Sequence, residues 1–346
     1  MISQVQRVAY YAHHHGSGHL RHAANVAGNP ALDVLVMSSA DPVGGSQNNV
    51  RFVPLPMDIV EGHRQPGGSP FLYTPVGDSA PNVRDRFRRI HEALTDFGPH
   101  VVIADVSPEV AAFAKLAGYP TIVRRMHGDR SDHAHSVMYA MADAIVAYFP
   151  EALESSEFPV EWKHKTVYAG MIEPGHFASG DTAGDDRTVV VLTSLGGFGV
   201  NIADVNAAAA QSPEWRWRVL GLTHGDADPA HNVSVLGVVN DPASEIAAAS
   251  IVVTSAGHNA IGTAASANKP MLVIPEKRPF NEQQRFAEAL ALVSDVQAFD
   301  GWTGNWLDRL EQAAHQDACR LSRLLFVSAD QFHKACNDAI EIALGG

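Results

Sequence analysis

Short apolar runs alternate with helix-like segments along the chain, and this alternation restricts the fold more than any other feature of the sequence. In the first half, strand-like runs occupy residues 5–12, 32–37, 51–55 and 101–104. Their apolar residues are largely continuous rather than alternating with polar ones, which is typical of strands covered on both faces. Segment 83–97 instead spaces apolar residues three and four apart, as an amphipathic helix does. Strands that alternate with helices predict an α/β fold with parallel sheets.

The strand–helix pattern starts again after residue 165, which predicts two α/β domains. A chain of 346 residues is long enough for two domains of ordinary size. We expect the N-terminal domain to span 1–168 and the second domain to span 188–328. Residues 169–187, of which the later part is rich in Gly and Asp, are interpreted as a linker.

Composition and charge exclude several classes of protein. The formal net charge is −13 and no long basic block occurs, so a protein that coats nucleic acid is excluded. Two cysteines are too few for a disulfide framework or a zinc site, and they favour a cytoplasmic location. No apolar stretch reaches the roughly 18 residues of a membrane span. Peripheral contact with a membrane surface stays open.

Two charged segments have a plain interpretation and a functional alternative. The arginines at positions 84, 86, 88 and 89 are interpreted as a solvated helix face, with contact to an anionic acceptor or a membrane surface as the alternative. Segment 129–135 is interpreted as a solvated loop, with an acceptor-binding loop as the alternative.

The first strand ends in a glycine-containing turn that carries a histidine. Gly16, Ser17 and Gly18 precede His19 there. Glycines let a ligand approach the backbone, and a helix N-terminus attracts an anion. Three interpretations stay open at this point. The turn could bind a dinucleotide, with Asp41 as the ribose-binding acid. It could be a tight turn without a ligand. In the third, His19 acts as a base at the mouth of the sheet.

Three consecutive histidines, His13, His14 and His15, come just before this turn. Side chains of adjacent residues on an extended segment point in different directions. We therefore expect no metal site at these histidines.

Asp105 directly follows the predicted strand 101–104. Ligand sites in open α/β sheets lie at the carboxyl ends of the strands. A carboxylate near His19 could fix the tautomer of the imidazole and raise its basicity. Alternatively, Asp105 could be the N-cap of the helix that follows.

Two strand-to-helix turns in the second half are suited to binding a sugar nucleotide. The first contains Gly196 and Gly197 and lacks the lysine of a P-loop. The second begins with Thr254 and continues as Ser255, Ala256, Gly257, His258, Asn259 and Ala260. Backbone N–H groups at such a helix start can hold a diphosphate without a metal. After the next strand, Glu282 and Gln283 supply a carboxylate and an amide that suit sugar hydroxyls.

Segment 252–290 resembles the donor-binding signature of the GT-B glycosyltransferases, including the peptidoglycan N-acetylglucosaminyltransferases and the glycosyltransferases of secondary metabolism. The positions that match in order are Gly257, Asn259, Pro270, Pro275, Glu282 and Gln283. The turn before His19, the strand that ends at Asp105 and segment 238–242 also resemble the family. The resemblance implies two Rossmann-like domains that face a cleft, with a C-terminal helix in 329–346 packing back on the N-terminal domain.

For function, the resemblance implies an inverting, metal-independent glycosyltransferase that needs no cofactor. It would move a sugar from a UDP or dTDP donor to a hydroxyl of an unidentified small-molecule, glycan or lipid-linked acceptor. His19 would be the base and Asp105 its support. Val239 and Thr263 would contact the nucleoside, and Glu282 and Gln283 the sugar. The donor diphosphate would be bound by Gly16, Ser17, Gly18, Ser194, Gly196, Gly197, Ser255, Ala256, Gly257, His258, Asn259 and Ala260.

Two positions depart from the family pattern. Ser255 stands where many members have His or Arg. Thr263 stands where many enzymes that use UDP-sugars have a Glu that binds both ribose hydroxyls, which favours a deoxyribose nucleotide. Two alternatives stay open: a GT-B sugar-nucleotide epimerase and a non-catalytic protein that binds nucleotide sugars.

Overall fold

The computed structural model describes residues 5–14, 18–42, 49–58, 80–173, 187–193, 199–239 and 241–345. These residues form two Rossmann-like α/β units, each built on a parallel sheet, as the alternation of strands and helices predicts.

The first unit is built on a seven-stranded sheet. Its strands are β1 (Gln6–Tyr11), β2 (Leu32–Ser38), β3 (Val50–Pro54), β4 (Val101–Ala104), β5 (Thr121–Arg125), β6 (Ala144–Ala147) and β7 (Thr166–Tyr168). Its helices are α1 (Gly18–Ala27), α2 (Ala80–Phe97), α3 (Pro108–Leu116), α4 (His133–Met141) and α5 (Val160–Lys163), together with the 3-10 helix Glu151–Leu153.

The second unit is built on a six-stranded sheet. The remaining strands of the chain are β8 (Met171–Ile172), β9 (Thr188–Leu192), β10 (Val200–Asn201), β11 (Arg216–Leu220), β12 (Thr223–His224), β13 (Val233–Gly237), β14 (Ile251–Thr254), β15 (Met271–Val273), β16 (Gln297–Ala298) and β17 (Phe326–Val327). The remaining helices are α6 (Ile202–Gln211), α7 (Pro242–Ala247), α8 (His258–Ser266), α9 (Glu282–Val293), α10 (Trp306–Ala313), α11 (Ala318–Leu325) and α12 (Ala329–Ala343), with the 3-10 helix Pro279–Asn281 before α9.

The strand order places a crevice in each sheet. The first sheet runs β3-β2-β1-β4-β5-β6-β7 and the second runs β13-β11-β9-β14-β15-β16. The chain reverses its direction of progress between β1 and β4, and again between β9 and β14. Ligands of open α/β sheets bind beyond the carboxyl ends of the strands at such reversals. This rule places candidate ligand-binding residues in the segments that follow β1, β4 and β14.

Strand β1 is buried on both faces, which explains why its sequence is continuously apolar. Val8 and Tyr10 pack into the layer that contains α1 and α12, whereas Ala9 and Tyr11 pack into the layer that contains α2 and α3. All four side chains are at most 1% exposed. A strand that is buried on both faces has no position left for a polar residue without a partner.

The C-terminal helix α12 belongs to the core of the first unit. Its Phe332, Cys336 and Ile340 side chains pack in the same buried cluster as β1 and β2. The chain reaches this position after β17, which pairs with β8 just beyond the first sheet. Among the described residues, no helix combines the length and the apolar character needed to cross a membrane.

Candidate active site

His19 and Asp105 meet at the reversal point of the first sheet. Asp105 follows β4, and His19 is the second residue of α1, which follows the neighbouring strand β1. His19 Nδ1 lies 2.9 Å from Asp105 Oδ2, and the two side chains are 12% and 0% exposed. A carboxylate on Nδ1 holds the proton at that nitrogen and leaves Nε2 as the basic position. The structure thus brings together the two residues that the sequence predicts to act as a pair.

Asp105 is held in place by three more contacts. Arg124 Nη1, at the end of β5, donates to Oδ1 at 2.9 Å and to Oδ2 at 3.2 Å, and the Tyr10 hydroxyl donates to Oδ2 at 3.1 Å. Burial raises the pKa of Asp105, but the charge of Arg124 and the contact with His19 outweigh burial and hold the pKa well below its usual range. Asp105 is therefore a fixed negative charge at neutral pH. No sequence motif marks Arg124, which lies inside the buried strand β5.

The alternative interpretation of Asp105 as a helix N-cap is wrong. Ser107 is the N-cap of α3, and its hydroxyl accepts from the Val110 amide at 3.2 Å. Between the two lies Val106, whose φ of 65° is in the left-handed region. A β-branched residue rarely adopts this conformation, which costs on the order of 1–3 kcal/mol.

His22 extends the network one turn further along α1. Arg124 Nη2 lies 3.0 Å from His22 Nε2. A guanidinium can only donate, so Nε2 accepts and the proton of a neutral ring is on Nδ1. Burial, and then the charge of Arg124, lower the pKa of His22 well below its ordinary value. His22 is therefore neutral, and its buried Nδ1 has no hydrogen-bond partner among the described residues.

His258 and His127 form a contact between the two units. His127 Nε2 lies 3.0 Å from the Leu153 carbonyl and must donate to it, so its Nδ1 accepts from His258 Nε2 at 3.2 Å. Burial and the nearby Arg125 lower the pKa of His127 to about 3. Burial and His127 likewise lower the pKa of His258 well below its ordinary value. The predicted diphosphate ligand His258 therefore carries a neutral side chain that is engaged with the first unit, and its backbone N–H is the group that remains for an anion.

Helix α8 begins without a side-chain cap. Its N-cap is Gly257, which makes no side-chain hydrogen bond. The first N–H groups of an α-helix have no intrahelical partner, which applies here to the predicted ligands His258, Asn259 and Ala260. Close by, the Ser255 hydroxyl is buried and has no hydrogen-bond partner in the described structure. Unpaired donors together with the positive end of a helix dipole suit an anion.

This helix start lies opposite the start of α1. A Cβ placed on Gly18 would lie 3.2 Å from the side-chain nitrogen of Asn259. The start of α1, which carries His19, therefore lies close to the uncapped end of α8. With a Cβ at position 18, the Asn259 side chain would have to shift by a few tenths of an ångström.

The predicted sugar ligands at the start of α9 are both engaged. Gln283 Oε1 accepts from the Ala256 amide at 3.1 Å and from the Glu276 amide at 2.8 Å. The Ala256 N–H, a predicted diphosphate donor, is therefore already bonded to Gln283 in this structure. Glu282 Oε2 accepts from Arg130 Nη2 of the first unit at 3.2 Å.

The predicted nucleoside ligands lie on two separate elements. Thr263, on α8, donates its hydroxyl to the Asn259 carbonyl at 2.7 Å, so only its lone pairs remain for a ligand. Val239 follows β13 and packs against the core of the second unit. The predicted ligands Gly16, Ser17, Ser194, Gly196 and Gly197 lie outside the described residues.

One group of described residues could hold a metal ion. One ligand atom each of His13, His14 and Asp58 lie within 4.8 Å of one another. The two imidazoles stack with ring centroids 4.5 Å apart, so the expectation that they point in different directions is wrong. Arg86 Nη2 lies 3.9 Å from Asp58 Oδ2, which already places a positive charge beside this carboxylate.

Two charged segments differ from their plain interpretation. Arg86 is not part of a solvated face. Its side chain is 2% exposed, and it donates to the Tyr11 hydroxyl at 2.5 Å. Segment 129–135 is not a solvated loop either, because His135 is buried within α4 and Arg130 is buried just before it.

Comparison with known proteins finds a family match within the second unit. Residues 219–298, from β11 to β16, match the glycosyltransferase family 28 C-terminal domain. The match contains the uncapped start of α8 together with Glu282 and Gln283. Among curated proteins, none matches this sequence.

Solved structures of glycosyltransferases resemble the whole chain. The glycosyltransferase of kitacinnamycin is 16% identical, with a TM-score of 0.66 over 98% of this chain and 99% of its own. MurG of Acinetobacter baumannii is 14% identical, with a TM-score of 0.62 over 96% of this chain and 99% of its own. UDP-glucose: anthocyanidin 3-O-glucosyltransferase in complex with UDP is 13% identical, with a TM-score of 0.65 over 100% of both chains.

At these identities the structural likeness establishes the fold, and it confirms the predicted pair of Rossmann-like domains of the GT-B type. The match of residues 219–298 to the glycosyltransferase family 28 C-terminal domain confirms the prediction of a glycosyltransferase.

Proposed function

We propose that this protein transfers a sugar from a nucleotide-diphosphate donor to an acceptor hydroxyl, with inversion and without a metal. The observation that carries the proposal is the His19–Asp105 pair, 2.9 Å apart, close to the uncapped start of α8. A base on one wall and an anion site on the other are what a direct displacement at a sugar carbon requires.

The base has a clear task in this reaction. An acceptor hydroxyl has a pKa far above neutral, so it needs a group that removes its proton as it attacks the sugar carbon. His19 Nε2 is the basic nitrogen because Asp105 binds Nδ1. When His19 takes the proton, the buried carboxylate stabilises the imidazolium that forms. General base catalysis of this kind contributes about 10²–10⁴-fold to the rate.

The leaving group has its own binding site. The diphosphate gains negative charge as the glycosidic bond breaks, and preorganised donors lower the barrier most when they point at that charge. The N–H groups of His258, Asn259 and Ala260 and the orphan hydroxyl of Ser255 supply such donors. Neutral histidine side chains nearby add no charge to this site, so the helix terminus supplies the electrostatic stabilisation.

Thr263 bears on the choice of nucleotide. Its hydroxyl proton is bonded to the Asn259 carbonyl, which leaves oxygen lone pairs that can accept from one ribose hydroxyl. A carboxylate at this position could accept from two. We therefore propose a donor site that tolerates a 2′-deoxyribose, and dTDP-sugars and UDP-sugars are both candidates.

The test is the release of nucleoside diphosphate from a panel of UDP- and dTDP-sugars, with water as the default acceptor and with added small-molecule and glycan acceptors. The wild-type protein should hydrolyse at least one donor slowly, and chromatography should show no epimerised sugar. The His19→Ala variant should turn over at least 100-fold more slowly, with a donor dissociation constant within threefold of wild type. His315→Ala is the control, because His315 is exposed on the second unit. Turnover of His19→Ala within threefold of wild type would remove the proposed base.

A further inference from the structure

A short segment of the first unit is docked on the start of α9. Gly128 has a φ of 115°, and a Cβ at this position would lie 2.7 Å from the Phe280 carbonyl oxygen. The next residue, Asp129, binds the same carbonyl through its amide at 2.6 Å and binds Arg285 Nε through its carboxylate at 2.6 Å. The close approach at Gly128 requires a residue without a side chain. Backbone atoms of both segments therefore take part in this contact.

Arg130 is the centre of this docked segment. Its side chain is 6% exposed, and each nitrogen of the guanidinium has a partner. Nε donates to the His127 carbonyl at 3.2 Å, Nη1 to His135 Nε2 at 2.8 Å and Nη2 to Glu282 Oε2 at 3.2 Å. The guanidinium also lies over the Phe280 ring, with Cζ 4.9 Å from the centroid. Such a group has a single orientation.

His135 fixes the far side of the guanidinium. Its Nε2 accepts from Arg130, so the ring carries its proton on Nδ1 and donates it to Asp132 Oδ2 at 2.7 Å. Burial, and then the charge of Arg130, lower the pKa of His135 to about 4. A neutral His135 accepts from Arg130 at every pH above that value. Hydrogen bonds thus connect α4 to α9 without interruption, through Asp132, His135, Arg130 and Glu282.

The two ends of this chain differ in exposure. Arg130 is buried, whereas the Glu282 side chain is 30% exposed. One carboxylate oxygen of Glu282 is bound to Arg130, which leaves lone pairs on the other oxygen for a ligand in the cleft. When a ligand displaces water from a carboxylate, the desolvation penalty is smaller if a buried cation already lies beside that carboxylate.

We propose that Arg130 is a positioning residue for the donor sugar: it holds Glu282 so that the free carboxylate oxygen accepts a hydrogen bond from a sugar hydroxyl. This inference rests on the proposed function, because it takes Glu282 as a contact of the donor sugar. It adds that the domain carrying the base also completes the sugar site. Sugar recognition then depends on the contact between the two domains, whereas binding of the nucleotide alone does not.

The test compares the affinity for a donor with the affinity for the nucleotide without its sugar. Calorimetry with the full-length protein would measure the UDP-sugar or dTDP-sugar that the wild type hydrolyses, and then UDP or dTDP alone. Arg130→Ala should weaken binding of the nucleotide sugar by about tenfold, which is about 1.4 kcal/mol, and leave binding of the nucleotide within threefold. Arg130→Lys should recover part of the loss, since a lysine restores the charge but not the three-way geometry.

Two further variants separate positioning from a looser interface. Arg285→Ala breaks the contact between Arg285 and Asp129 across the same interface without touching Glu282, and it should leave both affinities within threefold. Glu282→Ala should match Arg130→Ala, and the double variant should be no weaker than Glu282→Ala alone.

Equal weakening of nucleotide and nucleotide sugar by Arg130→Ala, or additive losses in the double variant, would overturn the role of Arg130 while the proposed function stands. A wild-type protein that binds no nucleotide sugar of the panel would instead refute the proposed function, and this inference with it.

Discussion

Replacing Asp105 with Asn separates what this carboxylate does for the fold from what it does for the reaction. Asp105 is fully buried and binds Arg124, Tyr10 and His19. An asparagine has one acceptor oxygen and one donor nitrogen, so at least one of these partners faces an N–H instead of an oxygen. The larger effect is electrostatic, because Arg124 is 3% exposed and loses its counter-charge.

The expected loss of stability follows from that burial. Removing one partner of a buried ion pair typically costs about 3–5 kcal/mol, against about 0–1 kcal/mol for an exposed pair. Asp85→Asn is the matched control, because Asp85 binds Arg88 and Arg89 on the exposed face of α2. Urea unfolding at neutral pH should therefore show a large loss of unfolding free energy for Asp105→Asn and a small one for Asp85→Asn.

A second variant keeps the test decisive if the first folds poorly. Asp105→Asn combined with Arg124→Gln removes both charges, so it should recover at least about 1 kcal/mol of the lost stability. Turnover should not recover, because neither asparagine nor glutamine supplies the charge that stabilises the His19 imidazolium. We expect turnover at least tenfold below wild type in both variants, with a smaller loss than in His19→Ala. An Asp105→Asn protein within 1 kcal/mol and threefold of wild type would refute the reasoning about this pair.

Two more predictions concern pH and metal ions. The pKa of His127 is about 3 in the folded state and about 6.5 in the unfolded chain. As pH falls, the unfolded chain is therefore protonated at this residue before the folded protein is. Stability from His127 is therefore complete above pH 6.5 and is lost as pH falls, by about 2 kcal/mol at pH 5. Between pH 7.5 and 5, the unfolding free energy of His127→Gln in urea should fall by about 2 kcal/mol less than that of wild type. His315→Gln is the control. A pH dependence in His127→Gln that equals that of wild type would contradict the assignment. Dialysis against EDTA should leave turnover within twofold of the untreated protein, because in the proposed mechanism the N–H groups at the start of α8 and the Ser255 hydroxyl bind the diphosphate. A loss that Mg²⁺ or Mn²⁺ restores would point to a metal, and His13, His14 and Asp58 would be the first ligands to replace.

Much of the architecture was predictable because hydrophobic periodicity records which faces are buried. The continuous apolar run of β1 predicts a strand covered on both sides, and the structure buries Val8 and Ala9 in opposite layers. The pairing of His19 with Asp105 also follows from sequence, since side chains that follow neighbouring parallel strands meet at the same edge of the sheet. The small-residue turn before α8 and the acid–amide pair at 282 and 283 were recognisable because their spacing is local.

Tertiary structure alone decided which charges are buried and which partner each one has. No motif in the sequence distinguishes Arg86, Arg124 and Arg130, yet each is at most 9% exposed. Arg130 binds Glu282, which lies 152 positions away in the chain, and the Ala256 N–H donates to Gln283, 27 positions away. Periodicity reports the environment of a segment, but an ion pair depends on two segments arriving at one place. Burial of a charge is stable only when that partner arrives, so these residues acquire their roles only in the folded chain.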